Sequence, residues 1–256
     1  MGLTIHHLDE EPGHRVRVLN ARPGGGAETA FVPVLRGVVD GLPEPLEGLV
    51  LASDLQGVAP DDEGRLELCS VAVVDALVQL ELDGAVPPLA ACGAVLAGDL
   101  YSVPDATKRG GFGDVASAWR AFARRCAWVA GVAGNHDDVR RLPAEAVLLD
   151  GDVRELGGLR VGGVGRICGN PAKPGRRDEA HQLAAIALVK EAAPDLLVLH
   201  EGPAGGQAQR GHPAIPLVPG LTVCGHVHWE RPWYRHAHGD VLNVEGRVVV
   251  LTRRPC

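Results

Sequence analysis

Five apolar runs in this chain stop abruptly at Asp, Asn or His, and that recurrence constrains the fold more than any other feature. Leu49-Val50-Leu51-Ala52-Ser53 ends in Asp54, and Ala94-Val95-Leu96-Ala97 ends in Gly98-Asp99. Ala127-Trp128-Val129-Ala130-Gly131-Val132 breaks at glycine into Asn135-His136-Asp137. Asp195-Leu196-Leu197-Val198-Leu199 ends in His200, and Leu221-Thr222-Val223-Cys224 ends in Gly225-His226-Val227-His228. Continuous apolar runs of this length are consistent with strands buried on both faces, as in parallel sheets. In open α/β sheets the carboxyl ends of such strands share one edge, so residues far apart in sequence can meet there.

Between the runs, helical spacing predicts helices over residues 71–83, 112–125 and 178–192. Trp119 and Phe122 fall on the inner face of the second, and Pro194 stops the third. Residues 146–149 and 159–164 read as a hairpin pair, and 241–244 with 247–251 as an edge hairpin. Residues 1–46 read as an N-terminal accessory segment ahead of a main domain spanning 47–256. Within it, His14–Leu19 alternates polar and apolar, Ala30–Leu35 is β-rich, and Gly24-Gly25-Gly26 either turns a hairpin or forms a loose loop. Three roles fit the segment: covering a sheet edge, contacting a partner subunit, or forming part of a cleft. The class is α/β, with two packed sheets and helices outside.

Composition narrows the partners. With 256 residues, 46% of them hydrophobic, a sizeable core is available. The net charge is -7 and no long block of like charge occurs, which argues against a nucleic-acid arm or a polybasic membrane patch. No apolar stretch approaches the roughly 20 residues of a spanning helix. Met1–Glu11 lacks the basic start and apolar run of a signal peptide. Cys69, Cys92, Cys126, Cys168, Cys224 and Cys256 show no Cys-x-x-Cys pairing. Reduced thiols in a cytoplasmic protein are expected, and a cysteine-based zinc site is disfavoured.

Taken singly, the strand-end residues have plain readings: Asp54 is a helix N-cap, Gly98-Asp99 a turn, and His200 a hydrogen-bonded histidine. Taken together they are two carboxylates, one amide oxygen and several imidazoles. That set suits Mn²⁺, Fe²⁺/Fe³⁺ or Zn²⁺ better than Ca²⁺. His226 and His228, two apart, project to one side if the strand continues through them.

The order Asp54, Gly98-Asp99, Gly134-Asn135-His136-Asp137, His200 and Gly225-His226-Val227-His228 resembles that of the calcineurin-like metallophosphoesterases, over residues 49–228. The resemblance implies a four-layer α/β/β/α sandwich, two mixed β-sheets flanked by helices, with a dinuclear metal site at one edge. It implies two divalent ions, Mn first with Fe, Zn or Ni as alternatives. Asp54 and His228 would hold one ion, Asp99 would bridge, and Asn135, His200 and His226 would hold the other. His136 would steady the phosphate or protonate the leaving oxygen, with Asp137 orienting it. The implied activity is hydrolysis of a phosphomonoester or phosphodiester, on a nucleotide or another small phosphorylated substrate, by a metal-activated water.

One position departs from that pattern. Where such enzymes carry a histidine two residues after the first Asp, this chain has Gln56, which either ligates weakly or only hydrogen-bonds nearby. The first metal position is therefore expected to be weaker. A catalytically weak or inactive protein of the same fold, acting as an interaction scaffold, is the alternative that Gln56 favours.

Arg166 is the leading substrate-binding candidate, with Lys108, Arg109, Lys173, Arg176 and Arg177 as other basic residues in nearby loops. Solvated surface charge is the plain reading of each. Trp229, Trp233 and Tyr234 either stack on a base or pack the sheet edge. His6, His7, His14, His181, His212, His236 and His238 have no partner spacing and read as surface or structural.

Overall fold

In the computed structural model, residues 2–108, 110–205 and 210–254 are described; Arg109 and Cys256 lie outside them. The chain opens with three antiparallel strands, β1 (Thr4–Leu8), β2 (His14–Ala21) and β3 (Ala27–Asp40). The three glycines 24–26 turn the β2–β3 hairpin, each with positive φ, and Arg22 N–H donates to the Gly26 carbonyl. Glycine is the residue that makes such a turn without Cβ strain.

The chain continues through β4 (Gly48–Ser53), β5 (Val58–Pro60), β6 (Leu66–Leu68), α1 (Cys69–Leu82) and β7 (Cys92–Leu96). Then come β8 (Gly113–Asp114), α2 (Ala116–Ala123), β9 (Trp128–Gly131), β10 (Asp137–Asp138) and β11 (Ala146–Leu148). The remainder is β12 (Asp152–Leu156), β13 (Leu159–Val164), β14 (Ile167–Cys168), β15 (Arg176–Arg177) and α3 (Glu179–Glu191). It closes with β16 (Leu196–Glu201), β17 (Gly220–Gly225), β18 (Trp233–His236), β19 (Gly239–Asn243) and β20 (Arg247–Arg253).

Two sheets carry the molecule. The larger has ten strands in the order β11-β9-β7-β4-β20-β3-β2-β5-β6, with β1 on β3. The smaller has six, in the order β12-β13-β16-β17-β19-β18. A shared core lies between them: Leu49, Leu51, Val95 and Ala130 from one sheet meet Val161, Leu196, Val198 and Val223 from the other. On the far side of the larger sheet, Val50, Ala94 and Leu96 pack against Val73, Leu77, Trp119 and Phe122 of α1 and α2. On the far side of the smaller, Leu197 and Leu199 pack with Ile186 and Val189 of α3. Ile186→Val removes one buried methylene there, and is expected to cost about 0.5–1.5 kcal/mol in chemical denaturation.

The helix-flanked four-layer α/β/β/α sandwich is not what forms. Among the described residues strands make up 41% and helices 15%, in three helices, and the mixed sheet curls into a half-barrel. The physical reason lies in the connections. Among the described residues, the parallel pairs β9/β11, β16/β17 and β17/β19 are joined by loops or a strand rather than by helices. No complete helical layer can therefore build up on either face.

Two local expectations are also corrected. Residues 146–148 pair in parallel with β9, so the hairpin partner of β13 is β12. Residues 247–253 are not an edge: β20 lies between β4 and β3, with Val248 through Leu251 fully buried. An unbroken apolar run suits a strand covered on both faces, and that position supplies the cover. The N-terminal strands join the same large sheet through the parallel β3–β20 pairing.

Candidate metal centre

The strand ends converge. β4, β7 and β9 are consecutive parallel neighbours, as are β16 and β17 in the facing sheet. Their carboxyl ends carry Asp54, Asp99, Asn135, His200 and His226. Asp99, His200 and His226 each offer a ligand atom, all within 4.8 Å of one another. Asn135 Oδ1 lies 3.1 Å from His200 Nε2, and Asp99 Oδ2 lies 3.4 Å from it.

The backbone is held in unusual conformations to achieve this. Asp54, Asp99 and His226 have φ of 53°, 54° and 67°, a left-handed region that non-glycine residues seldom occupy. Such strain persists where the surroundings over-determine it, and it clusters at functional sites. The surroundings here are tight: a Cβ on Gly134 would lie 2.0 Å from Asp99 Oδ1, and one on Gly225 2.3 Å from Asp54 Oδ2. Ser53 Oγ donates to Asp54 Oδ2 at 2.6 Å, and the His226 amide donates to the same oxygen at 2.9 Å.

The histidine tautomers follow from their partners. His200 Nδ1 lies 2.8 Å from the Ala97 carbonyl, which only accepts, so Nδ1 carries a hydrogen. Nε2 then faces Asn135 Oδ1 and Asp99 Oδ2, two acceptors. Burial works to lower the His200 pKa, but Asp99 and Asp54 outweigh it and raise it to about 10. Burial also raises Asp99, yet His200 and His136 hold its carboxyl below the ordinary value. Burial pushes Asp54 up to about 7, with Asp99 adding to it against the pull of His200. His226 is lowered by burial and by the His200 charge, so it stands ready as a neutral ligand.

His136 flanks this group. Its amide donates to Asp99 Oδ1 at 2.8 Å, and its ring Nε2 is 3.9 Å from Asp99 Oδ2. The ring is fixed by Nδ1–H donating to the Gly111 carbonyl at 2.6 Å. Asp137 is not the orienting partner. Its carboxylate accepts the Leu100, Tyr101 and Gly134 amides, which locks the Asp99 and Asn135 loops together.

Two candidates, His228 and Arg166, stand apart from the cluster, and a third, Gln56, meets it only through its amide nitrogen. His228 is turned outward, its side chain 64% exposed and its Nδ1 2.6 Å from Glu245 Oε2. Gln56 Nε2 donates to Asp99 Oδ2 at 3.4 Å, so its amide nitrogen rather than its oxygen faces the carboxylates. Arg166 lies 3.7 Å from Asp150 in a neighbouring cavity of about 540 Å³, shared with Arg140, Lys173 and Arg176. A smaller cavity of about 240 Å³ lies beside the centre, lined by Asp54, Gln56, Tyr101, Lys108 and Glu245. Trp229 is buried, and Trp233 Nε1 donates to Asp240, so both serve packing.

Ser53 and Glu245 are participants that the sequence did not reveal. They meet through a bridge between β4 and the turn before β20, a pairing with no local signature.

No family model matches this chain, and no curated protein matches it. Among solved structures, a protein of unknown function from Aquifex aeolicus matches with a TM-score of 0.35 and 13% identity. The match covers 79% of this chain and 95% of that one. Among the described residues, no helix is long and apolar enough to cross a membrane. Cys69, Cys92, Cys126, Cys168 and Cys224 are free thiols.

Proposed function

We propose that this chain is a metal-dependent phosphoesterase acting on a small phosphorylated substrate in the cytoplasm. The observation that carries the reading is the meeting of Asp99, His200 and His226 within 4.8 Å at converging strand ends. Asn135 beside His200, and His136 beside Asp99, add a neutral oxygen donor and a proton carrier to that group. The donor set of carboxylate, imidazole and amide oxygen fits Mn²⁺, Fe²⁺ or Zn²⁺. Asp99, Asn135, His200 and His226 would hold the ion, and Asp54 is adjacent through the His226 amide. Such an ion, when bound, supplies a Lewis acid for a phosphoryl oxygen.

The chain's own groups do the rest. Asp99 and Asp54 place negative charge where a cation is needed and keep His200 and His226 aimed inward. His136, fixed through Nδ1, leaves Nε2 to hold or deliver a proton to a leaving oxygen. Lys108, at the rim of the smaller cavity, is placed to meet a phosphate. His228 is turned out onto Glu245 and Gln56 presents its nitrogen rather than its oxygen to Asp99, so one tightly held ion is expected rather than two.

Hydrolysis of p-nitrophenyl phosphate and of its bis-ester with added Mn²⁺ tests the proposal. His136→Ala is expected to lower the rate about 100-fold, the scale of a lost general acid. Wild-type rates no higher than those of His136→Ala and Asp99→Asn, on both esters and across metals, would overturn it. The second reading, a non-catalytic binding protein, draws on the outward turn of His228 onto Glu245 and on Gln56.

A further inference from the structure

His200 and Glu201 are consecutive at the end of β16, where a bulge interrupts the pairing with β17. Bulges re-aim side chains, and these two serve different neighbourhoods. His200 turns into the centre described above. Glu201 turns toward β14, where Oε2 accepts the Cys168 amide at 2.7 Å. There the Cys168 sulfur, a Glu201 carboxylate oxygen and a His212 ring nitrogen all lie within 4.8 Å of one another. His212 is carried in by its bridge to Pro203, and its Nε2 is 3.9 Å from Glu179 Oε1 at the start of α3.

We propose that Cys168, Glu201 and His212 form a second metal site, one for a thiolate-preferring divalent cation of the zinc class. Sulfur, imidazole and carboxylate together are a zinc donor set, softer than the oxygen-rich set at Asp99. Ligand bonds of about 2.0–2.3 Å place tetrahedral donors roughly 3.3–3.8 Å apart, so small rotamer shifts close the set. Glu179 stands nearest to a fourth position. The acidic surroundings bear on the thiol. Burial, then Glu201, Glu179 and Asp178, push the Cys168 thiol up to about 12, and a bound divalent ion reverses that pressure.

The site has a structural purpose. Among the described residues the connection between the parallel strands β16 and β17 contains no helix, and the metal would tie that connection to β14 and α3. The sequence disfavoured a cysteine zinc site for want of ligand spacing; here the ligands come from three separate elements. No ligand is shared with the Asp99 centre, so the inference stands apart from the phosphoesterase reading.

Cobalt provides the test. Full-length protein stripped with chelator and reloaded with Co²⁺ is expected to show thiolate-to-cobalt charge-transfer absorption in the near ultraviolet. The set at Asp99, His200 and His226 contains no thiol, so Asp99→Asn is expected to keep the band. Cys168→Ser and His212→Ala are each expected to lose it, together with about one equivalent of tightly held Zn²⁺. Cys126→Ser is expected to retain it. In parallel, Zn²⁺ is expected to protect Cys168 from iodoacetamide, read by peptide mass spectrometry, which needs no variant to fold. Absence of the band in the wild type, its survival in Cys168→Ser, or alkylation unaffected by Zn²⁺ would overturn the proposal.

Discussion

Asp99→Asn is expected to weaken metal binding at the strand-end centre by at least about 100-fold, because outer partners of metal ligands alone are worth about 10–100-fold. Asp99 is at once a ligand candidate, the acceptor of the His136 amide and the main counter-charge to His200. Asparagine keeps the shape and removes the charge. The His200 pKa, about 10 with Asp99 present, is expected to fall, since burial then works against fewer opposing charges. A titration of the His200 ring nitrogens by NMR in chelator reads this directly. Stability carries the same sign. A raised histidine stabilises the ion-free fold fully below its ordinary 6.5 and loses that contribution as pH rises through about 10. Asp99→Asn is expected to flatten that alkaline loss in denaturant titrations. A wild-type His200 that titrates near 6.5 in the metal-free protein would remove the electrostatic account of the centre.

Gly134→Ala is expected to abolish the same centre without replacing a ligand. The added Cβ would lie 2.0 Å from Asp99 Oδ1 and 2.2 Å from the Asp99 backbone nitrogen. Backbone cannot swing aside as a flexible side chain does, so the loop after β7 must move. Overpacking of this kind typically costs about 1–3 kcal/mol. Unfolding is therefore expected at lower denaturant, and calorimetric titration with Mn²⁺ is expected to show no tight binding. Gly64→Ala, in open space at positive φ, is the contrast: a modest stability change with metal affinity intact.

The parts of this architecture that were legible in the sequence rest on local physics. Apolar runs that stop at Asp, Asn or His became parallel strands, since a buried strand needs an unbroken apolar stretch and a polar residue marks where cover ends. Helices over 69–82, 116–123 and 179–191 followed their apolar spacing. The errors came from assuming that local regularity continues. His226 and His228 share a side only if the strand runs through both. β17 instead ends at Gly225, and a tight turn in which Val227 N–H bonds the Gly225 carbonyl sends the two rings apart. Asp137 is next to His136 in sequence, but three backbone amides claim its carboxylate first. The sheet order was not legible, because β20 has the same apolar run whether it lies at a margin or in the middle.

That central placement of β20 has a consequence for biosynthesis. β3 and β4 can each form early, yet both keep one side unsatisfied until residues 247–253 leave the ribosome and slot between them. The larger sheet is therefore sealed only after β5 to β19 have been synthesised. Residues 55–244 must all be made before the loop bearing Asp54 gains its neighbour Glu245, and nascent chains halted earlier present bare strand margins that invite chaperone capture.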